Sequence, residues 1–144
     1  MFRLLLSLIV ITLLAVSCDS KPKPIEYGSD ACTFCKMTIV DRQHGAEIVT
    51  KKGKVYKYDA IECLIRDVIR NRDTSQIALF LVTDFAKAGK FTDAQKAVYL
   101  ISKNIPSPMG ANLSGFRDKS EAQRLKMQEG GKLFTWEQLL ERFK

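Results

Sequence analysis

Apolar and polar residues alternate twice in close succession, in Ala46-Glu47-Ile48-Val49-Thr50 and again in Lys54-Val55-Tyr56-Lys57-Tyr58. Lys51-Lys52-Gly53 between them is turn material, so the pair predicts a β-hairpin. From Asp59 the period changes. Ile61, Leu64, Ile65 and Val68 recur at helical spacing, and Asp59 with Glu62 three residues on resembles a helix-starting cap. "NRDTSQ" is a loop, and the continuous apolar run Ile77 to Val82 predicts a buried strand.

The same order then returns. Ala97 to Ser102 predicts a strand, "KNIPSPMG" a loop with two prolines, and Ala111 to Phe116 a returning strand. Asp118 opens a second helix with Glu121 three residues later, and Gly130-Gly131 ends it. Lys132 to Phe134 is a short strand. Thr135 caps a last helix in which Trp136, Leu139, Leu140 and Phe143 fall at i, i+3, i+4 and i+7. The chain therefore reads as an α+β fold of two tandem ββαβ units followed by a C-terminal helix, with "VYKYDAIECL" aligning on "LSGFRDKSEA".

The N-terminus divides the chain. Arg3 precedes an apolar run, Leu4 to Val16, that falls short of the about 20 residues a membrane-spanning helix needs. The run fits a secretory signal, and Ala15-Val16-Ser17-Cys18 resembles a bacterial lipobox, in which cleavage precedes a cysteine that carries lipid. Residues 1–17 are expected to be a lipoprotein signal peptide. Residues 18–28, polar and rich in proline and lysine, are expected to be the lipidated Cys18 and a flexible tether. Residues 29–144 are expected to be one folded domain. This predicts a lipoprotein held in the bilayer by its N-terminal lipid, in the cell envelope and facing the periplasm. The formal charge of +7 comes from scattered lysines with no aromatic-interleaved basic stripe, which argues against a nucleic-acid partner and suits solubility or an anionic lipid surface.

Cys18 apart, three thiols remain: Cys32, Cys35 and Cys63. An odd number in an exported chain leaves at least one sulfur free or bound to something. Cys32, Cys35 and Met37 stand within six residues, in "DACTFCKMTIVD". A redox dithiol is one reading, but such motifs sit at a helix start after a strand, and the residues following Cys35 are strand-like. Zinc is another, with Cys63 and His44 completing four ligands. A Cys32–Cys35 disulfide with Met37 as core filler is a third. Cu(I) is the fourth: thiolate and thioether are soft donors that select it, and two or three of them suffice. On an extended strand Cys35 and Met37 would share a face.

Of the remaining candidates, Cys63 falls opposite the apolar face of its helix, beside Arg66 and Arg70, as a third sulfur ligand or a structural thiol. His44, the only histidine, lies in "DRQHGAE", a loop expected to be exposed, and is a weaker ligand candidate. Asp59 and Asp118 read as helix caps, and Met127 as surface or packing. No P-loop, GxGxxG or HExxH occurs, and no enzymatic activity is expected.

"DACTFCKMTIVD", the "AEIVTKKGKVYKYDAIECL" hairpin and helix, "FTDAQKAVYLI" and "SPMGANLSGF" together resemble the NosL family of periplasmic copper chaperone lipoproteins. The resemblance runs from Glu26 to Phe143. It implies two ββαβ units and Cu(I) held for delivery to a client cuproprotein such as nitrous oxide reductase. It also implies a metal role for Met109, in a loop carrying Met-Gly, beside Cys32, Cys35 and Met37. The chain departs from the family's usual Cys-x-Met by its extra cysteine, and it lacks the proline-containing turn that places a histidine closer to the methionine. The non-copper readings that stay open are an exported thiol-disulfide oxidoreductase and a structural domain with a Cys32–Cys35 disulfide.

Overall fold

The computed structural model describes residues 19–144. The expected signal peptide and Cys18 lie outside the described residues. Among those described, no helix is long and apolar enough to cross a membrane.

The first unit runs β1 (Ala46–Thr50), β2 (Val55–Tyr58), α1 (Ile61–Asn71) and β3 (Ile77–Thr83). A short strand β4 (Phe91–Asp93) follows. The second unit is β5 (Val98–Ile101), β6 (Leu113–Phe116), α2 (Lys119–Glu129) and β7 (Lys132–Phe134), and α3 (Trp136–Phe143) closes the chain. Every strand pairing is antiparallel. The strand orders are β2-β1-β3-β4 and β6-β5-β7, so the first strand of each unit is flanked by the other two. This shared topology is the tandem repeat expected from the sequence. The alignment of strand and helix holds as well, since Val55 to Ile61 and Leu113 to Lys119 span equal lengths. Only β4, three residues long, had no counterpart in the pattern.

The main core fills the space between the first sheet, α1 and α3, with Ile48, Tyr58, Leu64, Val82, Tyr99 and Leu139 fully buried. Trp136 seats α3 on it, 5.7 Å from the Phe80 ring and 6.3 Å from Tyr99. Thr135 caps α3 as expected, and Gln138 makes the cap reciprocal. A smaller cluster of Leu100, Ile105, Phe116 and Ala122 lies under α2. Gly115 in β6 lets the second unit approach α1: a Cβ there would stand 3.2 Å from both Ile61 Cδ1 and Val82 Cγ2.

Three expectations need correcting. The run in β3 is only half-buried over much of its length: β4 pairs with just its last three residues, Leu81 to Thr83, and leaves the rest of that side uncovered. The caps at Asp59 and Asp118 are not formed: α1 is preceded by Ala60, and Asp118 occupies the cap position of α2 without a side-chain hydrogen bond. The third concerns the expected tether. The backbone N–H of Lys23 donates to Glu47 Oε1 at 2.8 Å, Lys57 Nζ donates to the Pro24 carbonyl at 2.7 Å, and Ile25 is buried. Residues 19–25 are therefore a strap laid against the hairpin. With the strap in place, Ala46 through Val49 are all buried, although their alternation predicted one wet face.

Burial under the strap lifts the Glu47 carboxyl to about 7, against the smaller opposing pull of the Lys23 amide and the Lys57 charge. A carboxyl raised in the folded state contributes stability below its unfolded value of about 4.3 that is lost as pH rises through 7. Glu47→Gln should remove that loss, flattening urea-derived stability between roughly pH 5 and 8; an unchanged slope would contradict the assignment. A second outcome concerns the helix stop. Gly131 has φ +101° and a Cβ there would meet the Ile101 carbonyl oxygen at 2.2 Å, whereas Gly28, at φ +84°, has open space. Gly131→Ala should cost more than about 3 kcal/mol and Gly28→Ala only about 1–2 kcal/mol in urea denaturation.

Candidate metal centre

The segment that carries the first two cysteines is a closed loop. Ala31 and Thr38 form an isolated antiparallel bridge, the Cys32 N–H donates to the Met37 carbonyl at 2.8 Å, and Lys36 N–H donates to the Cys32 carbonyl at 3.0 Å. Lys36 turns the chain with φ +68°, a conformation a side-chain-bearing residue rarely adopts. Its ammonium closes on the Thr33 carbonyl at 2.6 Å. The loop is moored to the hairpin by Thr33 N–H on the Lys57 carbonyl at 2.8 Å, and by the Lys57–Asp30 ion pair at 2.6 Å.

Directly after Lys57, β2 ends and the chain passes through Asp59 into the first turn of α1, which carries Cys63. The mooring therefore sets the loop against the helix start. The Sγ atoms of Cys32, Cys35 and Cys63 and a carboxylate oxygen of Asp59 all lie within 4.8 Å of one another. Cys32, Asp59 and Cys63 are buried, and Cys35 is half-buried. All three sulfurs are free thiols. One Asp59 oxygen, Oδ1, is buried with no hydrogen-bond partner.

The sulfurs are not equivalent. The Cys63 thiol donates to Cys32, and this is the largest influence pulling the Cys32 thiol down to about 6. Burial opposes it. Backbone N–H groups of Cys35 and Asp59 add to the pull. Cys63 is pushed far up by giving its proton to that bond, and further by burial and the Cys32 charge. Burial lifts Cys35 to about 11, although the Met37 N–H supports its thiolate. Among the three sulfurs the empty centre thus favours one thiolate, on Cys32, with two thiol protons to be displaced by an incoming cation.

The other expected ligands are placed differently. Met37 is 57% exposed, and the left-handed turn at Lys36 breaks the extended geometry that would have put it on one face with Cys35. Met109 is half-buried in the loop between β5 and β6. That loop is tied to α1 one residue before Cys63: Glu62 Oε1 accepts from the Ser107 hydroxyl and, at 3.3 Å, from the Ala111 N–H. His44 is not in the cluster and not exposed. It is 3% exposed, with Nδ1 on Asp41 at 3.0 Å, Nε2 on Ser114 at 3.3 Å and its ring edge-on to Phe85. Both ring nitrogens are engaged, in a contact that joins the two units.

Cys63 is in the cluster because loop 31–38 covers the first turn of α1, so both faces of that turn are buried. Asp59 was missed. Its spacing from Glu62 imitated a cap, and the one clue against that was its place three residues before another acid, Glu62, and four before Cys63. In the reduced, metal-free protein, thiolate absorbance should appear as pH rises through about 6, and in Cys63→Ala it should move to the ordinary cysteine range near 8.5. Absence of a thiolate step below about pH 8 in the unsubstituted protein would contradict this electrostatic account.

No curated protein sequence matches the chain. The crystal structure described as the copper chaperone NosL from Shewanella denitrificans superimposes with a TM-score of 0.71 at 22% identity. The match covers 83% of this chain and 95% of that one, a likeness of fold. A family model, NosL, matches residues 24–143, from the strap to the last turn of α3, and on that match the chain belongs to the NosL family.

Proposed function

We propose that this protein is a carrier of Cu(I): a lipoprotein anchored through Cys18 at the periplasmic face of the cell envelope, which loads one copper ion and passes it to a client cuproprotein such as nitrous oxide reductase. The observation that carries the reading is the group of three thiols within 4.8 Å, on a loop moored to β2 and on the helix start that follows β2. Sulfur in that number suits a soft monovalent ion, which accepts two or three ligands. The solved relative is described as a copper chaperone, and the chain's own family membership supports the same role.

In this reading Cys32, Cys35 and Cys63 form the holding set. Cys32 is the first anion the ion meets, and Cys35 and Cys63 lose their protons as copper binds. Met37, exposed beside Cys35, is the neutral and weaker donor at the mouth, suited to receiving and releasing the ion. Met109 serves as a second thioether for the hand-off, its loop held to the Cys63 helix by Glu62. His44 takes no part, its nitrogens being occupied within the fold. Transfer proceeds by stepwise exchange of sulfur ligands for those of the client, with no change in oxidation state.

Competition against a chromophoric Cu(I) chelator under reducing conditions tests this. Loss of an outer hydrogen-bonding partner of a metal ligand costs about 10–100-fold in affinity, so loss of a ligand should cost more than about 100-fold. Cys32→Ala, Cys35→Ala and Cys63→Ala should each weaken Cu(I) binding by at least that factor. His44→Gln should leave it unchanged. Met37→Leu and Met109→Leu should slow or redirect transfer to an acceptor more than they weaken retention. Unchanged affinity in the three cysteine variants, or turnover in a disulfide-reduction assay that exceeds free thiol, would overturn the copper reading.

A further inference from the structure

The strap and the β1–β2 turn form one surface. Asp19, the first described residue, sits against the turn: its carbonyl oxygen is 3.2 Å from where a Gly53 Cβ would stand, and Ser20 Oγ donates to the Lys51 carbonyl at 3.2 Å. From there the strap runs up the hairpin to Pro24 on Lys57. The chain thus enters the domain at its lysine-rich turn. Lys21, Lys23, Lys51, Lys52 and Lys54 are all exposed. Among the described residues, Lys51, Lys52 and Lys54 make no ion pair. Lys21 pairs with Asp19 at 2.6 Å, and Asp73 is close enough to feel Lys51. The face is net positive, and it lies one residue from the cysteine proposed to carry lipid.

We infer that this lysine face docks on anionic phospholipid headgroups and fixes the orientation of the domain on the bilayer. The inference rests on attachment through Cys18, which would hold the face at the surface. The strap's hydrogen bonds leave little slack between lipid and domain, so the lysines sit within the range at which each interacts with an anionic bilayer. The hairpin sets the consequence. The lysine turn is at one end of β2 and Asp59 follows the other end; four residues at about 3.3 Å each separate them by roughly 13 Å. With the turn on the headgroups, the thiol centre is carried at the far end of the hairpin and faces away from the bilayer, open to a soluble client.

An amine-acylation footprint of the full chain tests this, after reconstitution into vesicles of phosphatidylcholine alone or mixed with phosphatidylglycerol. Labelling of Lys51, Lys52 and Lys54 should fall at least about fivefold on the anionic vesicles relative to the neutral ones. Lys119, Lys126 and Lys132 of the second unit should label equally on both. High salt should restore labelling of the turn. A Lys51→Gln/Lys52→Gln/Lys54→Gln variant should lose the difference at Lys21 and Lys23 while still floating with the vesicles. Equal turn labelling on the two vesicle types, or protection centred on the second unit, would overturn the proposal. Flotation in high salt reports the lipid anchor separately. Its loss, with the low-salt footprint intact, would remove the anchor at Cys18 and support the lysine face on its own.

Discussion

Four groups able to carry negative charge meet within 4.8 Å at a buried junction, and most of what surrounds them follows from having to hold them there. Burial and mutual repulsion leave one favoured thiolate among the three sulfurs, on Cys32, where a donated thiol proton and two backbone N–H groups converge. The remaining capacity is kept as protonated sulfur, and Asp59 keeps an oxygen with no partner. An unpaired buried polar group of this kind costs about 1–3 kcal/mol. A soft cation would give the three sulfurs one shared partner in exchange for two thiol protons, so a site that holds them together beforehand favours loading.

Holding such a site requires rigid neighbours, and the fold supplies them from one side. β2 delivers Lys57, whose carbonyl and ammonium moor the thiol loop, and then Asp59 itself. α1 delivers Cys63 at its start and is locked at its other end, where Asp67 accepts from Tyr58, Asn71 and Arg72. Through Glu62 the same helix holds the Met109 loop of the second unit. The second unit brings no thiol of its own. Its contributions are the methionine loop, the packing of β6 on α1 and the Ser114 hydroxyl that fixes His44. Two copies of one supersecondary unit thus take different parts, one carrying the site and the other bracing it.

The element order was legible because it rests on local period: alternation in β1 and β2, helical spacing in α1 and α3, and paired glycines after α2. Effects set by distant contacts were not. Nothing in the alternation of Ala46 to Thr50 tells that a strap covers its wet face, and the proline and lysine content of residues 20–24 imitates a free linker. The helical wheel placed Cys63 away from the core because it assumes a helix with one buried face, while loop 31–38 covers the other at the first turn. His44 sits in a loop by sequence yet is buried by Ser114, seventy residues on. Lys36 hides a left-handed turn that a glycine would have announced, and with it the separation of Met37 from the face of Cys35. The thiol grouping itself was half visible: Cys32 and Cys35 by spacing, Cys63 as a minor candidate, and Asp59 not at all.

X-ray absorption at the copper edge of the reduced, Cu(I)-loaded protein, compared with its Cys63→Ala variant, bears most directly on the claim that these three sulfurs hold one ion. The account predicts a first shell of three sulfurs that loses one in the variant. A shell unchanged by Cys63→Ala, or one dominated by nitrogen or oxygen, would contradict it.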